Sequence, residues 1–234
     1  MKLTDITFDE QDRNLFQVPD ARLRADALKH SLLPRLHLVL NEGIATIRQV
    51  YGVEALDDSI VSFYPHFRQK RERELEHLYE NAFVGLGGKR VRNKWHGVAR
   101  KDGKPVQILP FRFALYLSEE GVGIVLESYW LKGLTDESYR KLFDFHLQHE
   151  AVITMLCFRS EMRPWVVYGG DVRPLSPFHE HYDYMAKSGH FDNHFISREA
   201  PYPIRPRRLL ELIRHYVLFF PVYDSYRLCC INQQ

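Results

Sequence analysis

The chain has 234 residues, 45% of them hydrophobic and 26% charged, and carries a net charge of +2. This is the make-up of an ordinary globular protein with a sizeable core. So small a charge excludes a histone-like, wholly electrostatic binder of nucleic acid, and any such contact has to come from a local patch.

The first predicted elements are helical. Residues 7–16 read as a short polar helix or turn. Asp20 is then placed to cap a long helical stretch whose apolar side carries Leu23, Ala27, Leu32, Leu36, Leu38 and Leu40. Pro34 is expected to bend or break that stretch, and Gly52 to close it. "SIVSFYPHF" (59–67) is β-branched and aromatic and predicts a strand. "RQKRERELEHLYENAF" (68–83) alternates in charge sign, as a solvated helix face does.

The middle of the chain predicts hairpins. One turns at Asp102-Gly103 and the next around Glu119 to Gly121. In residues 111–117, Phe111, Phe113, Leu115 and Leu117 fall on one side, and Arg112, Ala114 and Tyr116 on the other. That period of two predicts an antiparallel sheet with one buried face. Thr135 begins a helix with an acidic first turn, whose core side is expected to hold Leu142, Phe145, His149, Val152, Ile153 and Leu156. "PWVVYGG" predicts a short strand and "FISREAPYPI" an extended stretch. A last helix, 206–219, starts at Pro206 and buries Leu209, Leu212, Ile213, Tyr216 and Phe220. Strands in the middle and helices at both ends predict an α+β fold. Its central antiparallel sheet of hairpins has helices packed on one side, in a single domain over 1–234.

The segments "LFQVPDARLRADALKHSLLPRL", "SFYPHF" and "LPFRFALYL" are similar to motifs of the bacterial YktB family, and the resemblance covers residues 1–118. The arginine- and histidine-bearing segment that follows "FYPH" in that family is replaced here by "RQKRERELEHLYENAF", and the C-terminal half shows no counterpart. The resemblance implies an intracellular α+β fold and assigns no catalytic residue.

The compartment follows from small signs. Cys157 sits in an apolar run, and Cys229 and Cys230 are adjacent, with no spacing suited to a zinc site. No apolar leader is present, and no apolar run approaches the roughly 20 residues of a membrane span. A reduced, cytoplasmic protein without a membrane partner or cofactor is expected.

Two segments carry candidate chemistry. Gly85 to Lys104 holds seven cations, Lys89, Arg90, Arg92, Lys94, Arg100, Lys101 and Lys104, against one acid, Asp102. Its glycines admit an anion to the backbone, and Trp95 offers a stacking face. The Walker pattern GxxxxGK[ST] is absent. The plainer account is a solvated hairpin whose lysines keep an edge strand from pairing. Arg207 and Arg208 sit at the start of the last helix, where cations oppose the macrodipole. They need an acid, with Glu199 or Glu211 the nearest in sequence, or else a phosphate.

The second segment, "SPFHEHYDYMAKSGHFDNHF" (176–195), holds four histidines, two aspartates and one glutamate. His179, His181, Asp183, Asp192 and His194 have the donor types of a metal site, but no rigid spacing enforces convergence. The regular aromatics favour a packed loop without metal. Glu127 and Lys132 lack the spacing of a nuclease carboxylate–lysine pair.

The expectation is a non-enzymatic intracellular module that contacts a nucleic-acid backbone through Lys89 to Lys104, with Arg207 and Arg208. The alternatives are a metal-dependent hydrolase or nuclease using residues 179–194, and a protein-interaction module with an aromatic docking surface.

Overall fold

Local capping sets the N-terminal third. The Asp9 carboxylate accepts the backbone N–H groups of Gln11 and Asp12 and opens α1 (Glu10–Asn14). Asp20 does the same for α2 (Ala21–Ala27), accepting from Arg22 at 2.8 Å and Leu23 at 2.9 Å. Pro34 does not break the run that follows. The backbone widens into one π segment, Leu28–Leu32, in which the Leu33 N–H bonds to the carbonyl of Leu28, and α3 (Leu33–Tyr51) continues with the proline in its first turn. A proline there lacks only a donor that a helix start leaves unpaired. Gly52 ends α3 at φ 63°, a left-handed conformation in which its N–H reaches Arg48.

This is a computed structural model. It describes residues 2–52, 61–63, 81–87, 98–101, 104–107, 111–128, 136–168, 171–174 and 193–231. The helix predicted before residue 81 lies outside them. Its expected last residues, Asn81 to Phe83, are the start of a strand instead.

The strands are β1 (Val61–Phe63), β2 (Asn81–Gly87), β3 (Val98–Lys101), β4 (Lys104–Gln107), β5 (Phe111–Ser118), β6 (Val122–Ser128), β7 (Met162–Tyr168), β8 (Asp171–Pro174) and β9 (Asn193–Ser197). Among the described residues, seven of them form one antiparallel sheet in the order β1-β2-β5-β6-β9-β7-β8, and β3 and β4 pair as a separate ribbon. Both expected hairpins are in place. Lys101 pairs with Lys104, with only Asp102 and Gly103 between them in sequence, and Ser118 donates its N–H to the Gly121 carbonyl.

Helices α3, α4 (Asp136–Arg159) and α5 (Pro206–Ile231) share one core with a single face of the sheet. That face presents Val84 and Leu86 from β2, Phe113, Leu115 and Leu117 from β5, Ile124 and Leu126 from β6, and Phe195 from β9. Phe113 is at its centre. It stacks on Tyr216 with ring centroids 3.9 Å apart, and the Tyr216 hydroxyl donates to the Phe113 carbonyl at 2.8 Å. The α5 stripe Leu209, Leu212, Ile213, Tyr216 and Phe220 is buried as its spacing predicts. So is Cys157, whose thiol is pushed up to about 12 by burial and is therefore unreactive. The side chains of Phe111 and Leu142, two more expected core positions, lie outside the described ones.

Three expectations are corrected. Val152 is 50% exposed and His149 is also exposed. The backbone of α4 leaves helical geometry at His149 (φ −117°, ψ 15°). The buried side instead carries His146, Ile153 and Cys157. Second, the sheet's other face is not solvated at its centre: Ala114, Tyr116 and Val125 are buried there, beside Phe83 and Ile196.

Third, α5 runs on to Ile231 through Pro221. Pro221 has no N–H to give to Val217, four residues before it. The Tyr51 hydroxyl at the end of α3 takes over, donating to the Val217 carbonyl at 3.1 Å. A tyrosine on one helix thus mends the proline gap in another.

Among the described residues no helix is long and apolar enough to cross a membrane.

Two stability measurements check this packing. Leu209→Ala should cost about 2–5 kcal/mol in denaturant unfolding, and Val152→Ala should stay within about 0.5 kcal/mol. Tyr51→Phe should cost about 0.5–1.5 kcal/mol. Most of that cost should vanish in a Pro221→Ala background, where the backbone regains the missing donor. A double-mutant cycle without coupling would show that Tyr51 does not serve the Val217 carbonyl.

Candidate functional site

Of the residues that sequence singles out, Lys89, Arg90, Arg92, Lys94 and Trp95 lie outside the described residues, as do His179, His181, Asp183 and Asp192. Arg100 and Lys101 are on β3 and Lys104 is on β4. Register puts Lys101 directly opposite Lys104, and Arg100 opposite Pro105. Arg207 and Arg208 are in the first turn of α5. Glu211 answers them from within the helix, at 3.7 Å from Arg207 and 2.6 Å from Arg208. These contacts hold the Glu211 carboxyl below its ordinary range, first through the Arg208 hydrogen bond. This is the acidic compensation that the sequence asks for.

His194 is not in a loop. It is the second residue of β9, a strand inserted between β6 and β7. Its partners in register are Glu127 on β6 and Trp165 on β7. Glu127 in turn is opposite Arg112 on β5, and Arg112 is opposite Gly87 on β2. The result is one cross-strand row, Gly87–Arg112–Glu127–His194–Trp165. Alternation puts the row on the face opposite the helices, because the neighbouring positions Phe113, Leu126 and Phe195 all belong to the helix-side core.

The row lies next to the apolar centre of its face, formed by Ala114, Val125 and Ile196. Glycines make close strand contact possible there. A Cβ built on Gly85 would be 2.5 Å from the Ala114 Cβ and 2.5 Å from the Phe113 carbonyl oxygen. One on Gly123 would meet the Tyr116 ring at 2.6 Å, so that ring covers the glycine.

Chain connectivity adds to the geometry. The row is at the C-terminal end of β2 and β6 and the N-terminal end of β5 and β9. The basic stretch therefore leaves the sheet at Gly87, beside Arg112, and the ribbon's chain re-enters it at Phe111. The histidine-rich stretch enters at Asn193, beside His194. Two segments far apart in sequence thus meet the sheet at the same end.

The other end is held by polar contacts. The Ser118 hydroxyl donates to Glu199 at 2.9 Å, and the Tyr202 hydroxyl donates to the Ser118 carbonyl at 3.0 Å. Burial, with Glu199 nearby, pushes the Tyr116 and Tyr202 hydroxyls well above their ordinary value, so both stay protonated. Arg208 is also at this end, lining a water-sized cleft with Ser197, Arg198 and Ala200. Arg207 and Arg208 thus stand apart from the entry points of the basic segment.

Among the described residues no three His, Cys, Asp or Glu side chains are grouped to hold a metal ion. No family model matches the chain, and no curated protein matches it.

Glycine substitutions test the close contact on this face. Gly85→Ala forces its methyl into the backbone of β5 and should cost about 1–3 kcal/mol. Gly43→Ala in α3 meets only the Tyr216 ring at 3.4 Å and should be neutral or stabilise by up to about 1 kcal/mol. Equal effects in thermal unfolding would contradict the pairing of β2 with β5.

Proposed function

We propose that the protein binds the phosphate backbone of a nucleic acid through the basic segment between β2 and β5. The observation that carries this reading is the register of the ribbon, in which Lys101 and Lys104 are cross-strand partners. Like charges directly opposite one another destabilise a strand pair. An anion between them reverses that sign, and a phosphodiester is the anion that a run of lysines and arginines meets repeatedly along a polymer. Arg100 adds a third cation on the same strand as Lys101.

The connectivity supports the same reading. Lys89 and Arg90 follow within three residues of Gly87, the partner of Arg112 in register. Arg112 would thus extend the basic segment onto the sheet. The segment's single acid, Asp102, does not outweigh seven cations.

Fluorescence anisotropy with duplex DNA and with single-stranded RNA, at several salt concentrations, tests this. Neutralising Lys101 and Lys104 together should weaken binding alike for all sequences. The log–log salt slope should fall by about 0.9 per lost contact on duplex DNA and about 0.7 on single strands. The triple change Lys89→Gln, Arg90→Gln, Arg92→Gln should act in the same direction. Wild-type protein that binds neither polymer at low salt would end the proposal.

A further inference from the structure

The outer side of α4 differs from the rest of the described surface. Leu23, Val50, Tyr51 and Leu210 are exposed large apolar side chains on three other helices. Val152, Met155 and Phe158 are exposed together on α4, within about two turns, and Phe158 is 86% exposed. Ala151 is exposed beside them. The same side of α4 faces outward before and after His149. His146, Ile153, Cys157 and Ser160 are buried. Asp144, Gln148, Ala151, Met155 and Phe158 are exposed, at the alternating spacing of four and three that a helix-packing seam has. Single exposed apolar residues are ordinary, whereas a contiguous strip marks a docking face. The strip ends in charge, with Asp144 towards its N-terminus and Arg159 at its C-terminus, both exposed. Among the described residues neither has an ion-pair partner.

We propose that this face binds a second copy of the chain, with α4 of one protomer antiparallel to α4 of its partner about a two-fold axis between Ala151 and Val152. Such an axis sets each residue opposite the one equally far beyond it. Arg159 of one protomer then lies opposite Asp144 of its partner, Phe158 opposite Phe145, Met155 opposite Gln148, and Val152 opposite Ala151. An apolar strip with an acid at one end and a base at the other complements itself only in this antiparallel sense. A parallel pair would set Asp144 against Asp144 and Arg159 against Arg159. Phe145 is half-buried, and its ring stacks on that of His149 with centroids 4.5 Å apart. A pair of rings is therefore already in place where Phe158 arrives. The small Ala151 side chain at the axis lets the two helices approach closely.

A contact between one pair of helices lies at the low end of protein interfaces, below roughly 1,200 Å² in total, so the dimer is reversible, with a Kd on the order of micromolar. It does not depend on the basic segment, so this inference and the nucleic-acid proposal fail separately.

Sedimentation velocity of the full chain, from about 1 to about 200 μM, tests this. The wild-type mass should rise from 27.7 kDa to twice that value with concentration. Phe158→Asp should raise the dimer Kd at least about a hundredfold. Its unfolding temperature, read where the chain is monomeric, should stay that of the wild type, because the ring is exposed. Asp144→Arg should raise the Kd at least about tenfold, since it sets arginine against Arg159 twice across the axis. Adding Arg159→Asp to the same chain should bring the Kd back to within about threefold of the wild type. A surface that is merely sticky would not recover in this way. A wild-type chain that stays monomeric throughout the range overturns the inference. So does a dimer that survives Phe158→Asp, or a double charge reversal that fails to restore it. A monomeric wild type whose unfolding temperature falls on Phe158→Asp would show that the chain itself covers the strip. Growth beyond a dimer would show a head-to-tail contact, and either result also overturns the proposal.

Discussion

The pairing of β5 with β6 decides which side of every other strand is which. The turn from Ser118 to Gly121 fixes their register, with Leu117 opposite Val122 and Phe113 opposite Leu126. A slip of one residue would carry Phe113, Leu115 and Leu117 out of the core and Arg112 and Tyr116 into it. Phe113 cannot slip, because it is held through its side chain and its backbone at once. Its ring stacks on Tyr216, and its carbonyl accepts the hydroxyl of that same tyrosine. Helix α5 thus reads the register of β5 directly. β2 and β9 then inherit their faces by hydrogen bonding to the central pair.

The helices meet that sheet despite two prolines placed where regular helices fail. Each is accommodated by a different device. At Pro34 the backbone adjusts locally, through a π segment that shifts the hydrogen-bond pattern by one residue just before the proline. At Pro221 the backbone stays helical, and a side chain from α3 supplies the missing donor. The second device links two elements far apart in sequence. It makes the contact between α3 and α5 polar at one point as well as apolar along its length.

What the sequence discloses divides along the same line. Asp20, Gly52 and Pro206 are legible because caps act within a turn of the residue that makes them. The turns at Asp102-Gly103 and Glu119 to Gly121 are legible for the same reason. The exposure of Val152 is hidden, since Val152 and Ile153 are both apolar and period alone does not say which of the two neighbours faces the core. The cross-strand row is hidden more deeply. Period two puts Arg112 opposite the core side of β5, and that much can be read. Nothing in the chain order says that β9, which follows β8, inserts between β6 and β7. Glu127 therefore invites comparison with nearby Lys132, and His194 with the histidines before it, when the partners in register are on other strands.

The two ends of the sheet are built differently. At the Ser118 end, Val122 and Ala200 exchange backbone hydrogen bonds at 3.1 and 2.8 Å, and Phe8 and Ile204 do so at 3.0 and 2.7 Å. Arg35 donates to Asp12 and to the Thr7 carbonyl, with its guanidinium 4.9 Å from the centre of the Phe8 ring. These contacts tie the N-terminal arm and the segment before α5 to the strands. At the opposite end the strands carry an arginine, a glutamate, a histidine and a tryptophan in one row. The hydroxyls of Ser118 and Tyr202 therefore anchor the turn between β5 and β6 to the segment before α5, and the register set at this end is carried along both strands to the row.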